Sequence, residues 1–227
     1  MLTSVPEALN AFSAGLILIS AFAMVATRQV RGVLRFFVYQ SLLLSLSSFV
    51  LGYGTHSIHL WALGVITIAA KVVAIPFVLR RLLPGDFYER REISQAVNIP
   101  SSLLLALLLT LVSEFITGPV VSAAHDSVLR VNVPVGLAGV LIGAYSLVAR
   151  REAIPQLIGI LAMENGAFFA GISIAPELPL IAELAVAVDV VLIVVVVGLL
   201  TRSIQQTLGT TEAAALSELK EEPVEWH

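Results

Sequence analysis

The chain has 227 residues, of which 58% are hydrophobic and only 13% charged, and its formal net charge is −3. This composition, with a mean hydropathy of +0.95, excludes an ordinary soluble globular domain and predicts an integral membrane protein. The absence of cysteine excludes thiolate-held iron–sulfur clusters, CxxC redox chemistry and disulfides, so any electron transfer has to occur in partner proteins.

Seven apolar segments are long enough to cross a bilayer, whose hydrocarbon core takes about 20 helical residues. In chain order they cover residues 9–27, 36–55, 58–80, 99–122, 133–149, 154–174 and 178–201. The first is not expected to be a secretory signal peptide, because no basic residue precedes it and Arg28 follows it. We therefore predict an all-α, polytopic integral membrane protein with about seven transmembrane helices.

Basic residues are concentrated in alternate loops, which predicts the orientation of the chain. They follow the first, third, fifth and seventh segments: Arg28, Arg31, Arg35, Arg80, Arg81, Arg90, Arg91, Arg150, Arg151 and Arg202. The intervening loops contain only Arg130. By the positive-inside rule, the N-terminus is expected outside the cytoplasm and the C-terminus inside it.

Three ionisable side chains, Lys71, Glu164 and Asp189, interrupt the apolar segments. At 1.5 Å per residue they lie about 14, 15 and 16 Å from their nearest helix ends, which places all three near the bilayer midplane. A charge at that depth costs roughly 2.5–3.5 kcal/mol and normally faces a partner or a water-filled path. We expect them to act in proton transfer, although Lys71 could instead be a structural counter-ion that fixes two helices and conducts nothing.

Two further acids, Glu114 and Glu183, lie in the outer thirds of the fourth and seventh segments and are weaker candidates for an outward exit. Glu183 and Asp189 are six positions apart and point about 120° away from each other on a helix, which suits a relay better than a metal site. His56 and His59 lie in a short outer loop and are interpreted as surface residues.

No sequence motif predicts a cofactor, a metal ion, a phosphate cradle, a catalytic nucleophile or a nucleic-acid interface. Two polar segments on the cytoplasmic side, 84–98 and 203–227, are candidates for contact with other proteins. The second segment is acidic, and it is equally consistent with a frayed terminus.

Three stretches together resemble hydrogenase-4 component E over most of the chain: Lys71–Leu82, Gln156–Phe169 and Pro179–Asp189. The last three predicted helices are also similar to the small K subunit of respiratory complex I, which has a membrane-embedded acid in each of its second and third helices. The resemblance assigns the first of these acids to Glu164 and the second to Asp189.

One difference concerns the second acid, which is glutamate in the complex I subunit. This chain has the shorter Asp189 together with the additional Glu183. The resemblance implies an N-terminal four-helix region (1–131), a K-subunit-like three-helix region (132–203) and an acidic cytoplasmic tail (204–227).

The resemblance further implies a non-catalytic membrane-arm subunit of a group 4 hydrogenase or related complex in a prokaryotic cell membrane. Its expected partners are antiporter-like and complex I H-like membrane subunits together with peripheral redox subunits that hold the cofactors. The expected function is redox-coupled translocation of protons or sodium ions. Two alternatives stay open: a stand-alone secondary ion transporter, for which no inverted repeat is visible, and a purely structural membrane spacer.

The predicted orientation can be tested by placing single cysteines in this cysteine-free chain. Ser57→Cys and Ser94→Cys should react with an impermeant maleimide from opposite sides of sealed vesicles, because they lie in successive loops. Labelling of both from one side would contradict the topology.

Overall fold

The computed structural model of the protein describes residues 5–82 and 97–175, together with Val195. All regular secondary structure in these residues is helical. The elements are α1 (Val5–Ala26), α2 (Val30–Thr55), α3 (Ile58–Thr67), a π-helical segment (Ile68–Ala74), α4 (Ile75–Leu82), α5 (Ile99–Ala123), α6 (Ser127–Ala149) and α7 (Ala153–Ile174).

Six helices in the described part of the chain are long and apolar enough to span a membrane, with α3, the π segment and α4 together forming one of them. The all-helical membrane fold and the first six predicted spans are therefore confirmed. The predicted seventh span, 178–201, and the tail, 204–227, lie outside the described residues. The predicted boundary between residues 131 and 132 falls inside α6.

Helices α2 and α6 each begin six residues before their apolar segments. Helix α2 starts at Val30 and includes Arg31 and Arg35. Helix α6 starts at Ser127 because the side chain of Asp126 accepts a hydrogen bond of 2.9 Å from the Val128 amide, which caps its first turn. Hydropathy marks the apolar part of a helix and misses its polar first turn.

The third span changes its winding around Lys71. Its middle is the π segment, and Pro76 follows immediately in α4. Proline has no N–H to donate to the carbonyl four residues earlier, here that of Val72, and its ring crowds that carbonyl. A widened turn just before the proline relieves this crowding, and it places Lys71 in the irregular part of the helix.

The apolar core of the described residues has three clusters, and two of them lie towards opposite ends of α2 and α7. One contains Phe37, Leu79 and Leu161, and the other contains residues further along α2 and α7, including Leu44 and Phe169. Buried polar residues lie between these two clusters in the chain order of α2 and α7. The candidate site is built from them.

Helices α6 and α7 approach so closely that their backbones touch. A Cβ atom added to Gly136 would lie 2.6 Å from the carbonyl oxygen of Gly166, and one added to Gly143 would lie 2.7 Å from the amide nitrogen of Met163. Small residues permit such contact between membrane helices. Because Glu164 and Asn165 lie between Met163 and Gly166, this contact fixes their position.

Arg150, which the sequence suggested only as a topology anchor, is buried after the last turn of α6. Its Nη2 donates a 2.6 Å hydrogen bond to the carbonyl of Met24 in the last turn of α1, and its own carbonyl accepts a 2.7 Å bond from Gln156. Burial lowers the pKa of Arg150 to about 10, so the guanidinium stays charged at neutral pH. A cation is favourable at a helix C-terminus.

The glycine contact predicts a large difference between two Gly→Ala variants. Gly166→Ala should destabilise the protein by about 1–3 kcal/mol, because its Cβ would lie 2.6 Å from backbone atoms of α6. Gly118→Ala is the matched control, since its Cβ would meet nothing within 4 Å and alanine favours helix. Denaturant unfolding in detergent measures both, and equal stability of the two variants would contradict the close packing.

Candidate functional site: a buried lysine and carboxylate

Lys71 is the centre of the candidate site. Only 1% of the residue is exposed. Its ammonium nitrogen donates a 3.1 Å hydrogen bond to Oδ1 of Asn165, lies 3.8 Å from Oε2 of Glu164, and lies 4.6 Å from the ring centroid of Phe168. The ammonium therefore has an ion-pair partner, a hydrogen-bond acceptor and an aromatic ring around it.

These three partners lie within five residues of α7, 164–168. Glu164 and Phe168 are four residues apart and share a helix face, and Asn165 lies next to them. Lys71 reaches this face from the π segment. The depth estimate from the sequence had placed Lys71 and Glu164 at one level, and the structure brings their charged groups together.

Asn165 connects this pair to α2. Its amide nitrogen donates to the hydroxyl oxygen of Ser41 at 2.9 Å and lies 3.4 Å from Oε1 of Gln40. The Ser41 hydroxyl in turn donates to the Phe37 carbonyl at 3.0 Å. The side chain of Asn165 therefore uses both its acceptor and its donors, which holds it at the junction of three helices.

The charged groups differ in their access to the surface. The Lys71 side chain is buried, whereas 21% of the Glu164 side chain is exposed. Their separation of 3.8 Å allows a strong attraction but exceeds the range of a direct hydrogen bond. Such a pair can exchange a proton through small movements or a bridging water, and the same geometry also serves as a structural counter-ion.

The other predicted site residues do not join this cluster in the described residues. Glu114 is exposed on α5, between the exposed Leu111 and Phe115. Glu183 and Asp189 lie outside the described part of the chain. Among residues 5–82 and 97–175, no group of histidine and carboxylate side chains is arranged to hold a metal ion.

Sequence reasoning missed a second buried polar group near the opposite end of α2. Asn10 donates a 2.7 Å hydrogen bond to Oδ1 of Asn132 and accepts one from the Ser47 hydroxyl. All three residues are buried. The signal in the sequence was the presence of amide side chains within apolar spans, because such side chains normally form hydrogen bonds with other helices.

Comparison with known proteins identifies relatives over nearly the whole chain. An uncharacterized protein of Mycobacterium tuberculosis, Rv0085, is 30% identical over 210 residues, which cover 92% of this chain and 95% of the relative. Hydrogenase-4 component E of Escherichia coli K12 and that of Shigella flexneri are each 27% identical over 212 residues, which cover 91% of this chain and 95% of the relative. No family model and no solved structure matches the chain.

The chain is a homologue of hydrogenase-4 component E. Together with the six apolar helices of the described residues, this homology supports a multi-pass membrane protein. The family resemblance expected from the sequence is confirmed, while the similarity of the last three helices to the complex I K subunit stays a prediction.

A double-mutant cycle tests whether Lys71 and Glu164 interact in the folded protein. Lys71→Met and Glu164→Gln should each destabilise the protein, by about 1–3 kcal/mol, because each leaves a mostly buried charge without this partner. The double variant should be less destabilised than the sum by about 0.5–3 kcal/mol. Denaturant unfolding in detergent provides the free energies.

A matched control combines Lys71→Met with Asp126→Asn, which removes a carboxylate that lies outside the cluster and keeps a residue able to cap α6. These two changes should be additive. Additivity of the Lys71 and Glu164 changes as well would mean that the ion pair contributes nothing to the fold.

Proposed function

We propose that this protein is a non-catalytic membrane subunit of a hydrogenase-like complex and that Lys71 and Glu164 take part in redox-coupled translocation of protons. Support for the complex comes from the named relatives, which are components of hydrogenase-4. The redox cofactors would belong to peripheral subunits, in agreement with a chain that contains no cysteine.

The observation that carries the proposal is the contact of Lys71 with Glu164 and Asn165 in the middle of a membrane-spanning bundle. Ionisable residues at this depth are rare, and they commonly mark ion pathways. Lysine can release a proton and glutamate can accept one, and the surroundings of the pair decide which group holds the proton. A redox-driven change in a neighbouring subunit could therefore shift the proton between them.

Translocation also needs groups that extend the path beyond one pair. On the expectation from the sequence, Asp189 supplies a second acid at similar depth and Glu183 an acid nearer the outer surface. The partners would be antiporter-like and H-like membrane subunits, with the N-terminus outside and the C-terminus in the cytoplasm. A proton is favoured over sodium at the described pair, because a buried ammonium group next to the carboxylate repels a metal cation.

Substitution of the carboxyl groups separates a relay from a spacer. Glu164→Gln and, separately, Asp189→Asn should leave the soluble redox reaction in detergent largely intact and reduce redox-driven proton translocation in sealed vesicles by about tenfold or more. The physical reason is that an amide keeps the shape of the side chain but cannot titrate. Translocation per turnover is measured with a pH-sensitive dye, and subunit content is checked by gel.

Asp126→Asn is the matched control, because it removes an exposed carboxylate at the cap of α6 without touching the cluster. It should pump at the unmodified stoichiometry. If the Glu164 and Asp189 variants assemble and pump as this control does, the protein is a spacer and the proposed relay is wrong. Purification without hydrogenase-like and antiporter-like chains would instead contradict membership of a complex.

A further inference from the structure

Asn10, Ser47 and Asn132 form a buried cluster, here called the amide cluster, that the Lys71 site does not use. It joins α1, α2 and α6 near the N-terminal ends of α1 and α6 and towards the C-terminal end of α2. At most 1% of each residue is exposed. Asn10 donates to Asn132, and Ser47 donates to Asn10.

Two buried amide nitrogens are left without hydrogen-bond partners among the described residues. One is Nδ2 of Asn132 in the amide cluster, and the other is Nε2 of Gln40 beside Asn165. A buried donor without an acceptor costs about 1–3 kcal/mol, so such groups are normally satisfied. Helix packing alone explains neither of them.

The type of atom indicates the ligand. In the amide cluster, the side-chain oxygens of Asn10 and Asn132 already accept hydrogen bonds, and the group that still needs a partner is an N–H donor. A donor repels a metal cation and attracts the oxygen of a water molecule. The cluster is therefore suited to water rather than to sodium.

Helix α2 provides a polar connection between the two amide nitrogens. Gln40 and Ser47 are seven residues apart, so they share one face of the helix and are separated by about 10 Å along its axis. Leu44 lies between them on that face. Two buried serines, Ser41 and Ser48, lie about 80–100° from Gln40 around the helix, and a third, Ser45, lies about 140° from it, on the side that faces α3.

The hydroxyls of these serines donate to backbone carbonyls, those of Phe37, Gly64 and Leu44 respectively. Each hydroxyl oxygen keeps acceptor capacity, because a hydroxyl has two lone pairs. A water molecule between the helices can therefore donate to a serine hydroxyl oxygen and accept from the unpartnered amide nitrogen of Gln40 or Asn132. The axial separation of Gln40 and Ser47, about 10 Å, corresponds to roughly three hydrogen-bonded waters at about 2.8 Å spacing.

We propose that a water-filled branch enters the bundle at the amide cluster, passes Leu44 along the serines of α2, and ends at Gln40 and Asn165 beside Lys71. With the predicted orientation it opens on the extracytoplasmic side. The branch is argued from the buried groups themselves, whereas its use by protons rests on the proposed function. Leu44 lies at the middle of the branch, so the branch is least polar and most constricted there.

Helix α5 shows what buried hydroxyls look like when they serve packing only. Ser113 is fully buried and donates a 2.6 Å hydrogen bond to the carbonyl of Pro134 on the neighbouring α6. Thr117 donates to the carbonyl of Ser113. This group contains no amide nitrogen without a hydrogen-bond partner. Ser113 is therefore the matched control for the serines of α2.

Single cysteines test the branch directly, because the chain contains none of its own. Ser45→Cys and Ser48→Cys are made in the full-length protein within its native membrane and compared with Ser113→Cys, which is equally buried. The probe is the silver ion, which is small, charged and reactive towards thiolates. Thiols that silver has reached are then unavailable to a maleimide added after denaturation.

Silver should react with Ser45→Cys and Ser48→Cys at least about tenfold faster than with Ser113→Cys, because thiolates form where water is present. Adding Asn132→Leu should slow the reaction at Ser45→Cys by about tenfold, since it replaces the polar entrance with an apolar side chain. If Ser45→Cys and Ser48→Cys react no faster than Ser113→Cys, the branch does not exist.

The result is independent of ion pumping. Fast silver reaction combined with normal pumping by the Glu164 and Asp189 variants would keep the water branch and defeat the proposed relay. Slow silver reaction combined with impaired pumping would keep the relay and overturn this branch. Should Asn132→Leu fail to fold, the comparison of the three cysteine variants still decides the question.

Discussion

The need to accommodate the ammonium group of Lys71 inside the bundle governs the arrangement of three helices. An ammonium that is 1% exposed requires an opposite charge and hydrogen-bond acceptors, because neither lipid nor an apolar core can replace water around it. Helix α7 supplies the carboxylate of Glu164 and the amide of Asn165. Helix α2 then supplies Ser41 and Gln40 to satisfy Asn165.

The α6–α7 contact makes this arrangement possible. Because glycines on both helices let the backbones touch, α7 cannot rotate or slide without clashes against α6. The turn that carries Glu164 and Asn165 is therefore held rigidly against the π segment. Sites held on rigid elements keep their geometry better than sites on loops, which suits the proton exchange proposed for this pair.

Hydropathy and charge predicted the helices of the described residues because a bilayer selects for long apolar segments so strongly. They also predicted the common depth of Lys71 and Glu164, since rise per residue is nearly constant in a helix. The face on which a side chain lies was harder to predict. It depends on helix rotation, and the π segment adds a residue to the turn that carries Lys71.

The contacts of Asn165 with α2 and the amide cluster could not be derived for the same reason. They depend on which faces of α1, α2, α6 and α7 meet, and the glycine contact that sets this was visible in the sequence only as scattered glycines. Arg150 shows a similar limit. A basic residue at the end of a span predicts orientation, yet here it is buried and binds the C-terminal turn of α1.

The ring of Phe168 has a consequence for the proposed proton exchange. Its π face attracts the ammonium of Lys71 at 4.6 Å, yet an aromatic ring has no basic site that could take the proton. The amide oxygen of Asn165 is likewise a hydrogen-bond acceptor and a very weak base. Of these three neighbours, only the carboxylate of Glu164 can become protonated, so any proton exchange between Lys71 and these neighbours takes place with Glu164.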